Sequence, residues 1–233
     1  MIGGRIMAML GVAMLAMPAQ AQSQMPAPVT ADAGAPAYVV TFIETSAASA
    51  TNARNILREL AAASRNGQGN AGFVALAETG RPGRFATLEA WRNKAALEAH
   101  ETAAKSYENR LRPLLVAPPD RRPSVALDLG PADAAAGGSL FVLTHVDVVP
   151  PKKDEAIALL KALVPASRKE PGAERFDVLQ QISRPNHSFI VEVWRDDASR
   201  DVHVAAAATR QFRAELLPLQ GSLYDERLYR PIP

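Results

Sequence analysis

Two stretches of this 233-residue chain place a carboxylate, an indole and an imidazole at one and the same spacing. They are "EAWRNKAALEAH", residues 89–100, and "EVWRDDASRDVH", residues 192–203. An imidazole titrates near neutral pH and can therefore accept a proton from a phenolic hydroxyl. An indole offers a flat wall against which an aromatic ring can stack. The combination indicates a site that binds a flat aromatic molecule, with His203 as a candidate base and Trp194 as the wall.

Each of these side chains also has a purely structural interpretation. Trp91 and Trp194 could be simple core packing, since a Trp at a strand end is bulky and usually partly buried. His203 could be a satisfied histidine near the start of a helix. Glu192 shares a strand face with Trp194 and could be a buried carboxylate that is paired for structural reasons. In the functional interpretation, Glu192, Trp91 and His100 contribute to binding the substrate.

A second candidate pair lies in "THVDV", residues 144–148. Strand alternation would put His145 and Asp147 on one face, where the carboxylate could orient the imidazole as a catalytic general base and could contact the substrate. The pair could equally be a polar lining between two sheets. The first half of the chain has Phe42 and Glu44 at the matching positions. If a single pocket is active, we therefore expect it to be the second.

The recurring spacing belongs to a duplication of a whole domain. Leu, Ser, Arg, Pro, Glu, Trp and His residues recur at an offset of 103 residues, from the first predicted helix to the second. In the following helix the offset becomes 105, which implies a two-residue insertion after His203. A constant offset on this scale indicates a tandem repeat. We expect the first repeat at residues 37–129, a linker rich in Gly, Pro and Ala at 130–138, and the second repeat at 139–233.

Hydrophobic periodicity predicts strand, helix, strand, strand, helix, strand in each repeat. The last helix of the second repeat is predicted to begin at a cap formed by Asp196 or Asp197 and to run towards Leu217. The βαββαβ order is that of the ferredoxin-like unit, which packs two helices on one face of an antiparallel sheet. The bare apolar face requires a cover. We therefore predict an α+β fold in which two ferredoxin-like repeats form an intramolecular barrel.

The segments "SRKEPGAERFDVLQ", "FIVEVWRDDASRDVH" and "LLPLQGSLYDERLY" resemble the antibiotic biosynthesis monooxygenase family of the dimeric α+β barrel superfamily. The resemblance covers nearly all of the second repeat, whereas the first repeat has "NGQGNAG" in place of the Pro-Gly turn. It implies a pocket between the helices and the sheet of each repeat. The family includes cofactor-free oxygenases of anthrone- or quinol-like aromatics, heme-degrading relatives and many members of unknown activity.

The resemblance also bears on individual positions. In the heme-degrading members, an Asn on the first strand, a Trp at the end of the third and a His on the second helix frame the ligand. Trp194 and His203 stand at the matching positions, and His145 stands where those members carry the Asn. In the first repeat, Phe42 takes the place of the Asn, which implies a more apolar pocket.

Composition and charge exclude several other functions. Without residues 1–21 the chain keeps 25 of its 26 cations against 24 anions and has no basic cluster, so we expect no nucleic-acid partner. The sequence contains no phosphate-binding loop, no nucleophile elbow and no metal-ligand spacing of His, and it lacks flavin and nicotinamide signatures. We therefore expect no cofactor, and heme is retained as a candidate ligand.

Residues 1–21 have the pattern of an export signal. Arg5 is followed by an apolar run from Ile6 to Met17 and by the small-x-small motif that ends at Ala21. We expect cleavage after Ala21, a flexible tether at 22–36, and a periplasmic or secreted mature protein. A stable membrane anchor is not expected, because a spanning helix needs about 20 apolar residues. The absence of cysteine suits an oxidising compartment.

These observations predict an exported, cofactor-independent monooxygenase that acts on a quinol- or anthrone-like aromatic small molecule. The alternative is a non-catalytic periplasmic protein that binds a small molecule or heme. One chain supplies both halves of the pseudo-dimer, and the sequence leaves further oligomerisation open.

Overall fold

The computed structural model describes residues 26–130 and 140–233. The predicted signal at 1–21 lies outside these ranges, as do the first residues of the tether and nearly all of the linker. The described residues form eight strands: β1 (Ala37–Glu44), β2 (Asn70–Glu78), β3 (Arg84–Trp91), β4 (Asp120–Asp128), β5 (Leu140–Asp147), β6 (Ala173–Gln181), β7 (His187–Trp194) and β8 (Asp225–Pro231). They also form five α-helices: α1 (Ala50–Arg65), α2 (Lys94–Leu111), α3 (Lys153–Ser167), α4 (Asp197–Ala205) and α5 (Ala207–Leu216).

The strands of both repeats close into one antiparallel barrel in the order β1-β3-β2-β8-β5-β7-β6-β4. The last strand of each repeat joins the two halves. β4 pairs with β1 of its own repeat and with β6 of the other, and β8 pairs with β5 and with β2. Closure leaves no strand edge of the sheet unpaired. The predicted α+β barrel built by tandem duplication is therefore confirmed.

The barrel wall separates three hydrophobic clusters. One lies between α1, α2 and the outer sheet face of the first repeat, and includes Leu57, Phe73 and Trp91. A second lies between α3, α5 and the outer face of the second repeat, and includes Trp194. The third fills the barrel interior with side chains from both repeats. Because strand residues alternate between the two faces, the site residues divide between the helix side and the interior.

The turn that follows the first helix of each repeat depends on a glycine. Gly69 and Gly172 have φ angles of 80° and 87°, in the left-handed region that other residues rarely adopt. The carbonyl of Gly69 accepts a hydrogen bond from the backbone N–H of Arg92 (2.8 Å), just after Trp91. The turn therefore fixes the end of β3, and "NGQGNAG" keeps the essential glycine of the Pro-Gly turn.

The second helix of the second repeat differs from the prediction. Asp196 is its N-cap, and the Asp196 side chain accepts a hydrogen bond from the backbone N–H of Ser199 (2.8 Å). The predicted single helix is wrong, because Ala206 has an extended conformation (ψ 145°) that separates α4 from α5. The break lies where the repeat offset changes from 103 to 105, so it accommodates the inserted residues.

Residues 26–36 contain a turn but no helix or strand. The backbone N–H of Val29 donates a hydrogen bond to the Ile182 carbonyl (3.0 Å), next to β6. Among the described residues, no helix combines the length and the apolar character that crossing a membrane requires.

Candidate functional site

The Glu, Trp and His of the first repeat form one contact group on the helix side of the sheet. The Trp91 indole N–H donates a hydrogen bond to Oε2 of Glu89 (3.1 Å), because alternate residues of β3 share a face. The Thr87 hydroxyl donates to Oε1 of the same carboxylate (3.4 Å). The His100 ring, on α2, stacks on the indole with centroids 4.4 Å apart. Its Nε2 lies 3.5 Å from Oε2 of Glu89.

A cavity of about 150 Å³ opens beside this group. Its walls come from α1, the following turn and α2, with the Trp91 indole at one side. Three of the five lining residues on α2 are alanines, and Ala103, Ala104 and Tyr107 follow His100 at the spacing of one helix face. The lining residues are Leu60, Ala63, Ser64, Gly67, Gln68, Trp91, Ala99, His100, Ala103, Ala104 and Tyr107.

Burial sets the charge of both titratable groups at this site. It lowers the pKa of His100 to about 4, and nearby Arg121 acts in the same direction. His100 is therefore neutral at physiological pH. Burial raises the pKa of Glu89, while the hydrogen bond from Trp91 opposes the rise. A neutral imidazole with a carboxyl group behind it can accept a proton from a ligand.

The second repeat builds the same group and covers it. The Trp194 indole N–H donates to Oε2 of Glu192 (2.7 Å), and the His203 ring lies over the indole with centroids 4.7 Å apart. Trp194 is 0% exposed, as is Trp91, and the His203 side chain is 3% exposed against 9% for that of His100. His203 Nδ1 lies 3.0 Å from Oε2 of Glu170, and the Thr209 hydroxyl lies 3.3 Å from the same nitrogen. Two side chains of the protein therefore contact Nδ1 of His203.

The two repeats differ in the space beside the histidine, which bears on the expectation that a single active pocket would be the second; that expectation stays a prediction. The open cavity described here belongs to the first repeat, because Glu170 and Thr209 contact the imidazole in the second. The predicted buried pairing of Glu192 is partly met: its Oε2 accepts from Trp194, and His203 Nε2 lies 3.8 Å away. Burial raises the pKa of Glu192 to about 7 and lowers that of His203 to about 4.

His145 and Asp147 lie on the other face of the sheet from Trp194. The His145 ring contacts Phe189 of the barrel interior (centroids 5.2 Å apart), as does Phe42 of the first repeat (6.0 Å). In the register of β5 and β7, Trp194 is opposite Leu140 and His145 is opposite Phe189, so that about 17 Å of strand separates them. The structure therefore does not bring His145 to the pocket of Trp194 and His203.

The predicted orientation of His145 by Asp147 is indirect, because sequence reasoning missed His187. His145 Nε2 lies 3.0 Å from His187 Nδ1, and His187 Nε2 lies 3.4 Å from Oδ1 of Asp147. This chain of three groups lines one mouth of the barrel, as the polar-lining alternative predicts. Burial lowers the pKa of His145 to about 4, and nearby Arg122 acts in the same direction.

Sequence reasoning also missed the small residues of the first pocket. The cavity lies under Ala99, Ala103 and Ala104, on the same helix as His100. Their spacing around His100 was the available signal. Among residues 26–130 and 140–233, no group of three or more His, Cys, Asp or Glu side chains is placed to hold a metal ion.

Comparison with known proteins gives two family matches and a shared fold. The family model for antibiotic biosynthesis monooxygenase matches residues 36–106 and 139–215. An uncharacterised protein of Synechocystis sp. is 32% identical over 108 residues, 46% of this chain and 71% of that protein. YcnE of Bacillus subtilis (strain 168), which carries a provisional monooxygenase assignment, is 28% identical over 76 residues, 33% of this chain and 80% of that protein. A crystal structure from Fusobacterium nucleatum with a similar assignment superposes with a TM-score of 0.76 at 16% identity, over 86% of this chain and 94% of the other.

Proposed function

The chain belongs to the antibiotic biosynthesis monooxygenase family, and from this premise we propose that its first repeat oxidises a single-ring, quinol-like aromatic with dioxygen and without a cofactor. The observation that carries the proposal is the cavity of about 150 Å³ beside the stacked rings of Trp91 and His100, since a cavity of this size takes one benzene-sized ring. A three-ring anthrone exceeds it. The substrate class is therefore narrowed to single rings, or to larger molecules that insert one ring.

In the proposed mechanism, His100 accepts the proton of the substrate hydroxyl. It can do so because burial lowers its pKa to about 4 and keeps it neutral. An ordinary phenol has a pKa of about 10, so complete transfer to such a base would cost about 8 kcal/mol. This cost favours an electron-rich quinol that loses its proton as it gives an electron to dioxygen. The Glu89 carboxyl, 3.5 Å from His100 Nε2, supports the imidazolium that forms.

The overall reaction balances without a further reductant. A quinol and dioxygen give a hydroxyquinone and one water, so that one oxygen atom enters the product and the other leaves as water. The substrate supplies all four electrons. The Trp91 indole borders the ring on one side of the cavity and is itself fixed by the hydrogen bond to Glu89. The apolar walls exclude bulk water from the radical pair.

Oxygen uptake tests the proposal. The mature protein is mixed with hydroquinone, methylhydroquinone and anthrone, and ¹⁸O₂ incorporation into the product is followed by mass spectrometry. We expect uptake with the single-ring quinols and a loss of roughly 100-fold or more in His100→Ala, the range of general acid–base catalysis. Uptake equal to the protein-free background with every compound would overturn the enzymatic proposal.

A second candidate is a protein that binds a small aromatic molecule without reaction. The observation that favours it is the second repeat, where the same Glu-Trp-His group is fully covered and serves packing. Saturable binding of hydroquinone without oxygen uptake would select this candidate. Heme, a four-ring macrocycle, exceeds the cavity of the first repeat, so a heme-binding form would need another site. An absorption band after mixing with hemin would support it.

We further propose that the protein is exported to the periplasm or beyond. The support is the sequence of residues 1–21, with its apolar run and small-x-small motif. Intact-mass analysis of the protein from its own cells tests this, and a chain that begins at Gln22 is the expected result. Absence of the protein from both the periplasmic extract and the culture medium would contradict it.

A further inference from the structure

The turn after the first helix is built with the same bonds in both repeats. The backbone N–H of Gly67 donates to the Ser64 carbonyl (2.9 Å), and that of Glu170 donates to the Ser167 carbonyl (3.2 Å). Two residues later, Gly69 and Gly172 share the left-handed conformation. At the offset of 103, Gly67 and Glu170 are therefore the same position of one turn.

The histidine rings that face this turn also have matching orientations. The rings of Phe73 and Phe176 meet His100 and His203 edge-on at the same centroid separation of 5.6 Å. Nε2 of each histidine faces the Glu carboxyl of its own repeat, at 3.5 and 3.8 Å. Nδ1 of His100 is therefore directed towards the cavity side, as Nδ1 of His203 is directed towards Glu170.

Two substitutions between the repeats account for the difference in space. Gly67 stands in place of Glu170, and Ala104 stands in place of Thr209 at the offset of 105. Gly67 and Ala104 both line the cavity of the first repeat. Glu170 and Thr209 both contact His203 in the second. A Cβ on Gly67 would lie 3.0 Å from the Ser64 carbonyl oxygen and 3.4 Å from the Trp91 ring, so a longer side chain there starts beside the indole that borders the cavity.

We propose that the second repeat holds a closed copy of the ligand pocket. In this copy the Glu170 carboxylate contacts His203, and in the first repeat an acidic oxygen of the ligand occupies the equivalent position beside His100. This rests on the proposed function and deepens it. The ligand of the first pocket is then a single-ring aromatic whose hydroxyl or carboxyl oxygen meets Nδ1 of His100. Gly67 leaves room for this oxygen because it has no side chain.

Binding of a non-oxidisable probe tests this independently of turnover. 4-Fluorophenol and 4-fluorotoluene have nearly the same size, and only the first carries an acidic oxygen. ¹⁹F NMR counts their bound signals. For the wild type we expect one bound 4-fluorophenol and affinity for 4-fluorotoluene about ten-fold weaker, which is what one hydrogen bond supplies. For Glu170→Gly combined with Thr209→Ala we expect two bound 4-fluorophenol molecules, and for Gly67→Glu none.

Glu170→Gln is the matched control, since it keeps the side chain and should leave one bound probe. A folded double variant that binds a single 4-fluorophenol would refute the claim that the second repeat is a closed copy of the pocket. Equal affinity for the two probes would refute the claim that the ligand presents an acidic oxygen to His100. If the double variant fails to fold, Gly67→Glu decides, because the same turn carries Glu in the second repeat; retained binding there would overturn the proposal. Wild-type binding without oxygen uptake would instead refute the proposed reaction and leave this inference standing.

Discussion

The buried carboxyl of Glu192 should make the stability of the protein depend on pH in a way that one substitution removes. Glu192 lies behind Trp194, is 3% exposed and accepts the indole hydrogen bond at 2.7 Å. Burial raises its pKa from 4.5 to about 7, and Glu226 acts in the same direction, while Arg200 and Arg213 act against it. Glu192→Gln keeps the shape and a carbonyl acceptor for Trp194 but cannot ionise.

The sign and size follow from the shift. A raised pKa means that the folded state binds this proton more tightly than the unfolded state does. The contribution of Glu192 to the free energy of unfolding is therefore fully present below pH 4.5 and is lost as pH rises to about 7. The shift corresponds to about 3 kcal/mol. His203, the nearest imidazole, has its pKa lowered to about 4 and stays neutral over this interval.

Urea unfolding of both proteins at pH 5 and pH 8 measures the effect. We expect similar stabilities at pH 5 and a Glu192→Gln variant that is more stable by about 3 kcal/mol at pH 8. In thermal unfolding this corresponds to a difference of about 6 to 12 °C for a chain of this size.

Glu89→Gln is the matched control in the first repeat. The pKa of Glu89 is also raised by burial, but the cavity and the Thr87 hydroxyl lie beside it. Its variant should show the same sign with a smaller amplitude. If the difference in the free energy of unfolding between wild type and Glu192→Gln is the same at pH 5 and pH 8, ionisation of Glu192 does not destabilise the folded protein. That result would refute the reasoning.

Three other predictions concern the turn, the cavity and the barrel mouth. Gly69→Ala should destabilise the protein by about 3 kcal/mol or more, because it combines a left-handed φ with a Cβ only 2.7 Å from that of Ala96. Gly80→Ala is the control: its φ is 71° and no atom lies within 4 Å of the added Cβ, so it should cost only about 1 to 2 kcal/mol in the same urea titration. Ala103→Leu should close the cavity, with little change in melting temperature and loss of hydroquinone binding; unchanged binding would contradict the placement of the site. His145→Ala should leave oxygen uptake within about two-fold of the wild type, since His145 faces the barrel interior. A loss comparable to that of His100→Ala would contradict this and indicate that His145 is the catalytic base.

The fold could be predicted because each of its signals is local or periodic. The constant offset of 103 identified the duplication, and the β-branched and aromatic run "FIVEVW" and the helix cap at Asp196 indicated a strand followed by a helix. The need to cover an apolar sheet face then required the two repeats to meet. The break at Ala206 was missed, because an insertion can either lengthen a helix or interrupt it, and tertiary packing decides between these outcomes.

The candidate site could be predicted only in part. Glu89, Trp91 and His100 were identified with their equivalents, because strand and helix spacing places them on one face. Which copy is open depends on side-chain volume at Gly67 and Ala104, and pattern reasoning favoured residues that can carry chemistry over residues that leave space. His145 was grouped with Trp194 because the register along β5 and the side of the barrel wall become visible only when the strands are paired.

Oxygen uptake by His100→Ala and His203→Ala, measured side by side with hydroquinone below the melting temperature of each variant, decides which of the two pockets carries the reaction. The two substitutions are the same change at equivalent positions, one beside the cavity and one under Glu170. If the first pocket carries the reaction, His100→Ala loses roughly 100-fold or more of the activity while His203→Ala retains it. Loss of activity in His203→Ala with full activity in His100→Ala would contradict it.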